Sequence, residues 1–159
     1  MKGLNKNFLP VSIDITNKQI LILGGDNSAL KKIKILLAYT NDLIIIGKNV
    51  HNQIKEMGIK YIEKEIEKDD LKGFSIIYSC TNNRSLNQEI VKWGHELGIL
   101  VNIHDDPELC DFISPAVIKK ENITISVSTN GEDALMSIAI RDKLNEMIKN
   151  ENILEWLKY

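Results

Sequence analysis

The sequence predicts an α/β fold: a parallel sheet with helices on both faces, followed by a β-hairpin and a helix. Three observations carry this. Short apolar runs recur up to about residue 103, as "ILIL", "LIIIG", "SIIYSC" and "ILVNI". Between them, apolar residues repeat at helical spacing. The links are short and polar. Strands apolar along their whole length belong inside a parallel sheet covered on both faces, and strand–helix alternation with short links builds one.

The elements follow in order. "KQILILGG" reads as a buried strand ending at glycine. "NSALKKIKILLAYT" is a helix, with Ala29, Ile33, Leu36 and Leu37 on one side. "DLIIIGK" is a second buried strand, and "NVHNQIKEMG" a short helix stopped by Gly58. "IKYIEKEI" alternates enough to be a strand with one wet face, at or near a sheet edge. "FSIIYSCT" is again buried. "NRSLNQEIVKWGHELG" is a helix carrying Leu86, Ile90 and Trp93, and "ILVNIHDD" is the next strand.

After Pro115 the pattern changes. "AVIKKENITISVST" reads as a hairpin turning at Lys120 to Asn122. "NGEDALMSIAIRDKLNEMIKN" is a helix, with Thr129 or Asn130 as cap and acids in its first turn. "NILEWLKY" is a final amphipathic piece. The expected organisation is a Rossmann-like nucleotide-binding domain over 1–114 and a segment over 115–159 that lacks a core of its own. Such a segment needs a partner surface, and a second copy of the chain is the economical choice.

Composition narrows the function. With 20 Lys+Arg against 22 Asp+Glu, the net charge of −2 gives no general attraction for nucleic acid or an anionic membrane. Cys80 and Cys110 form neither a CxxC pair nor zinc spacing, so no metal site is expected from them. The start "MKGLNKNFLPVSIDI" lacks a signal-peptide core, and no run reaches the roughly 20 apolar residues that cross a bilayer. The expectation is a cytoplasmic protein.

Ligands of an open parallel sheet gather at the C-terminal ends of strands where the winding reverses. Three segments fall at such ends: Gly24 to Ala29, Cys80 to Asn83, and Asn102 to Pro107. In the first, Gly24, Gly25, Asp26, Asn27 and Ser28 stand against the dinucleotide pattern G-x-G-x-x-G/A, with Asp26 where the middle glycine would let a pyrophosphate approach. Two unit charges 4 Å apart at an effective dielectric near 20 repel by roughly 4 kcal/mol, so a phosphate-facing Asp26 would oppose binding. The same residues also suit a tight turn without a ligand. No acid follows the second strand, which runs into Gly47, Lys48 and Asn49. In the second segment, Thr81 and the asparagines suit uncharged hydrogen bonding, and Asn82 or Asn83 suits a helix cap. In the third, His104, Asp105 and Asp106 crowd a strand end. Two carboxylates side by side resist joint burial as anions, which suits one of them to general-base work; Asp-Asp-Pro is also good loop chemistry.

These residues resemble the precorrin-2 dehydrogenase family, the dehydrogenase and ferrochelatase module at the N-terminus of siroheme synthases. The matching stretches are "FLPVSIDITNKQILILGG", "ALKKIKILL", "TNNRSLNQ" and "VNIHDDPELCDFISPAVIKKENITISVSTNG". The run from Val101 to Gly131 is the most specific. The resemblance implies an NAD-binding Rossmann domain, a dimerisation segment and a homodimer. It implies oxidation of precorrin-2 to sirohydrochlorin with NAD in tetrapyrrole biosynthesis, and insertion of Fe2+ by some members. It places the essential aspartate at Asp105. It places cofactor contacts on Asn27, Ser28, Lys48 and Asn49, to which the strand-end reading adds Gly24, Gly25, Asp26, Thr81 and Asn102 as candidates. Substrate contacts fall on His104, Ser128 and Thr129. Lys31, Lys32, Lys119, Lys120 and Arg141 are candidate counter-charges for the substrate's carboxylates. The chain departs from the family at Asp26, at Asn82 and Asn83, and at Asn130 to Ala134. Those departures motivate a rival expectation: a relative that binds a tetrapyrrole or metal, or regulates the pathway, without hydride transfer.

Overall fold

The computed structural model describes residues 5–150. The expected terminal piece "NILEWLKY" lies outside the described residues. The chain divides into two compact units, Leu9–Phe112 and a second that joins the residues before Leu9 to those after Phe112.

The larger unit holds a five-stranded, all-parallel sheet. Its strands are β1 (Ile20–Leu23), β2 (Leu43–Gly47), β3 (Lys60–Glu63), β4 (Ile76–Ser79) and β5 (Leu100–Ile103), in the spatial order β3-β2-β1-β4-β5. The direction of winding reverses between β1 and β4. The helices are α1 (Asn27–Leu36), α2 (Asn52–Lys55) and α3 (Arg84–Leu97). The apolar runs behave as expected. β1 and β2 are buried at every position. Ile20, Ile22, Ile45, Ile76 and Cys80 pack with Ala29, Leu30, Ile33 and Leu36 of α1.

Two local expectations change. β3 is exposed at all four residues, so both faces are wet rather than one. It is an edge strand of the sheet. On α3 the buried residues are Asn87, Ile90 and Gly94, while Leu86 and Trp93 are only half-buried. A Cβ on Gly94 would stand 2.4 Å from a Val101 methyl, so this glycine lets the helix lie close on β5.

The second unit contains the antiparallel hairpin β6 (Ala116–Lys120) and β7 (Ile123–Val127), and the helix α4 (Ala134–Asn150). Asn130, in the left-handed region at φ 57°, pins the N-terminal segment. Its Oδ1 accepts from the Phe8 amide at 2.8 Å and its Nδ2 donates to the Lys6 carbonyl at 2.7 Å. The helix begins later than expected. Asp133 Oδ1 accepts from the Met136 amide at 2.7 Å, and Thr129 Oγ1 accepts from the Asp133 amide at 3.1 Å. Asp133 is therefore the cap and Thr129 a support one step back, and Glu132 and Asp133 precede the first turn instead of lying in it.

Candidate functional site

The site begins with how three strands end. After β1 the chain turns at Gly24, whose φ of 100° is open to glycine and strained for other residues. A Cβ there would lie 3.0 Å from the Cys80 carbonyl. At Gly25 a Cβ would lie 2.3 Å from the Asn49 carbonyl oxygen. At Gly47 it would lie 3.0 Å from the Gly24 carbonyl carbon. The glycines thus let the backbones beyond β1, β2 and β4 meet. Their first use is chain-to-chain packing.

Asp26 has a definite place. It is the N-cap of α1, and its Oδ1 accepts from the amides of Ser28 at 2.9 Å and Ala29 at 3.2 Å. Its Oδ2 accepts from Asn82 Nδ2 at 2.9 Å. A carboxylate at a helix N-terminus satisfies unpaired amides and meets the positive end of the helix dipole. Those amides are also the ones a phosphate would use. The Asp26–Asn82 bond spans the switch point between β1 and β4.

The second turn is organised by a residue that the sequence reading did not single out. Asn87, buried on α3, accepts from Ser79 Oγ and Thr81 Oγ1, each at 2.7 Å, and donates to the Thr81 carbonyl at 3.0 Å. Asn83 caps α3, its Oδ1 accepting from the Leu86 amide at 3.1 Å. A polar residue on the inward face of an amphipathic helix was the available signal for Asn87.

The third segment continues β5. The His104 amide donates to the Ser79 carbonyl at 2.8 Å, and Asp105 follows at φ 58°. Its side chain is 86% exposed, with Oδ2 3.3 Å from His104 Nε2. Asp106 is partly buried and meets Arg84 Nε at 3.3 Å. The expected crowding of two buried anions is absent: one carboxylate faces outward and its neighbour has an arginine. Asn102 is buried, donating to the Phe112 carbonyl at 2.8 Å and lying 3.4 Å from Cys110 Sγ. Cys110 Sγ also takes the Ile103 amide at 3.1 Å, so the loop after Asp105 is fastened back onto β5. Burial pushes the Cys80 thiol up to about 12.

Beyond β2, Lys48 pairs with Glu65 at 2.5 Å, both exposed, and Asn49 abuts Gly25 through its backbone. An acid does stand at this end, supplied by β3. Glu63 is in register with Gly47, accepts from the Val50 amide at 3.0 Å and pairs with Lys55 at 2.9 Å. Parallel pairing brings it there across 13 residues, a distance that no local motif encodes. Ser128 and Thr129 belong to the other unit. Ser128 Oγ accepts from the Asn130 amide at 3.3 Å, and Thr129 Oγ1 lies 3.0 Å from Ser137 Oγ.

The three segments therefore converge within the larger unit, at the C-terminal ends of β1, β4 and β5. A pocket lined by Gln19, Asn41, Asp42, Met57 and Lys60 lies at the other end of the strands. Among the described residues, no group of three His, Cys, Asp or Glu is placed to hold a metal ion. No helix among them is long and apolar enough to cross a membrane.

Comparison with known proteins bears on the family and the fold. Residues 11–116 match the family model described as "Putative NAD(P)-binding". A siroheme synthase of Vesicomyosocius okutanii is 35% identical over 146 residues, covering 89% of this chain and 31% of that protein. A siroheme synthase of Buchnera aphidicola is 30% identical over 149 residues, covering 91% of this chain and 32% of its own length. The chain thus spans about a third of these relatives. The solved structure of "SirC, precorrin-2 dehydrogenase" superposes with a TM-score of 0.72 at 22% identity, over 87% of this chain and 70% of the other, which is a likeness of fold. The resemblance expected from the sequence is borne out, and the chain belongs to the "Putative NAD(P)-binding" family that this model defines.

Proposed function

We propose that the chain is an NAD-dependent precorrin-2 dehydrogenase of siroheme biosynthesis. One observation carries the reading: the glycine turn, the asparagine turn and Asp105 share one end of β1, β4 and β5, in a chain of an NAD(P)-binding family with siroheme-synthase relatives. The residues present fit a dinucleotide. Gly24 makes the strand–helix turn, and the Ser28 and Ala29 amides point at an acceptor. Asp26 supplies that acceptor, so a phosphate can take these amides only when the Asp26 carboxylate rotates away. Gly25, Asn27 and Ser28 form the cradle, and Lys48, Asn49, Thr81 and Asn102 are the remaining cofactor-side residues.

Oxidation of precorrin-2 to sirohydrochlorin removes a hydride and a proton from the macrocycle. The dinucleotide supplies the hydride acceptor. Asp105 takes the proton: its carboxylate is exposed at the end of β5, beside His104. His104 lies beside it and orients it. Asn82 anchors Asp26, and Asp26 caps α1, so two of the departures that favoured a non-enzymatic relative have structural duties. Fe2+ enters as a substrate of a second, chelatase step, in which the same carboxylate receives pyrrole protons.

The working unit is a homodimer, in the cytoplasm. In the second unit only Ser137 is buried among the described residues, while Leu135, Met136, Ile138 and Ile140 of α4 are exposed. A hairpin and helix with so little interior gain most from a partner.

The test is an anaerobic assay of NADH formation from precorrin-2, with wild type and Asp105→Asn. The expected result is turnover by wild type and a loss of about a hundredfold or more in the variant.

A further inference from the structure

On charge alone, five cations suit the carboxylates of a tetrapyrrole: Lys31, Lys32, Lys119, Lys120 and Arg141. The structure separates one of them. Lys31 and both hairpin lysines are exposed, and Arg141 Nε is 2.6 Å from Asp142. Lys32 is half-buried, and its Nζ stands 4.8 Å from the centre of the Tyr78 ring. Tyr78 is the β4 residue in register with Ile22 of β1 and Asn102 of β5. Its ring meets Phe112 edge-on, 5.3 Å between centres. The aromatic face fixes where the ammonium sits, and the three-strand register places it beneath the ends that carry the glycine turn and Asp105.

The surroundings sharpen the assignment. Burial pushes the Lys32 pKa below the ordinary lysine range, while the Asp105 carboxylate pulls it upward. Asp105, from the loop after β5, and Tyr78, from β4, are among the groups around the ammonium, as are the Cys80 and Cys110 thiols. Asp105 is thus within electrostatic reach of it. A half-buried cation is poorly screened, so an arriving carboxylate gains more there than at an exposed lysine.

We infer that Lys32 is a substrate-binding residue: braced on Tyr78, it takes one carboxylate of the anionic macrocycle and sets the ring against Asp105. The ligand class rests on the dehydrogenase reading, and the test does not require turnover. Uroporphyrin, a polycarboxylate porphyrin, is titrated by fluorescence against wild type, Lys32→Met, Lys32→Arg and Lys31→Met, each checked by its thermal midpoint. Lys32→Met weakens binding about tenfold or more, the size of one charge-assisted contact. Lys32→Arg keeps most of the affinity, and Lys31→Met all of it. With precorrin-2, Lys32→Met raises KM by a similar factor and lowers kcat/KM by at least as much, because the ring loses its setting against Asp105. Should Lys32→Met fail to fold, Tyr78→Leu carries the test, since loss of the brace also weakens binding. Equal affinity of Lys32→Met and wild type overturns the inference, as does an equal loss in Lys31→Met or no porphyrin binding by wild type. Porphyrin binding that depends on Lys32, in a protein that does not oxidise precorrin-2, upholds the inference and overturns the dehydrogenase.

Discussion

Asp26 stands where a bare glycine would admit a phosphate, and its side chain already makes the contacts a phosphate would make. The carboxylate accepts from two α1 amides and from Asn82. Binding of a dinucleotide therefore competes with an internal anion. Asp26→Gly removes the competitor together with the cap. Calorimetric titration of NAD should show affinity rising by about tenfold or more, and the thermal midpoint falling through loss of a cap that contributes roughly 1 kcal/mol. Unchanged affinity would mean that Asp26 does not sit in the phosphate's place. The sequence made this residue conspicuous by its mismatch to a motif. It could not say where the side chain pointed, because the partner that fixes Oδ2 lies 56 residues away.

At the scale of elements, the strands were legible and their ends were less so. Continuous apolar runs require burial on both faces, which left a parallel sheet as the economical fold. β3 carried a weaker pattern, and its faces were misassigned because an edge strand need bury neither. The joints between elements depend on pairs distant in sequence. Asn87 ties Ser79 and Thr81 to α3. Asn87→Ala would leave the buried Ser79 hydroxyl without its acceptor, so denaturant unfolding should show a loss of about 1–3 kcal/mol. Glu63 ties the loop after β2 to β3. Its carboxyl is held below the usual range first by Lys55 and then by the Val50 amide. A carboxyl with a lower pKa in the folded state stabilises the fold above its unfolded pKa, and this is lost as pH falls through the folded value. Glu63→Gln should therefore be less stable than wild type at neutral pH. The gap should close on acidification below the ordinary Glu range, about 4.3. Urea midpoints measured across that range check it.

For the molecule as a whole, the two units differ in how much interior they possess. The larger has a continuous core from Ile20 to Cys80. The smaller was recognisable in sequence by its change of pattern after Pro115, and its exposed apolar helix explains why a partner surface was expected. Leu135, 79% exposed, is the most open large apolar residue of α4. Leu135→Glu should shift the sedimentation coefficient from dimer toward monomer and leave the circular dichroism of the sheet unit intact. A wild type that sediments as a monomer would remove the homodimer.

The proposed function turns on Asp105, at the convergence of the strand ends, taking a proton from a tetrapyrrole while NAD takes the hydride. The most direct measurement is the rate of NADH formation from precorrin-2 under single-turnover conditions, wild type against Asp105→Asn, with NAD affinity measured on both. Proton transfer to Asp105 predicts equal NAD affinity and a rate lower by about a hundredfold or more in the variant. Equal rates in the two proteins would contradict it.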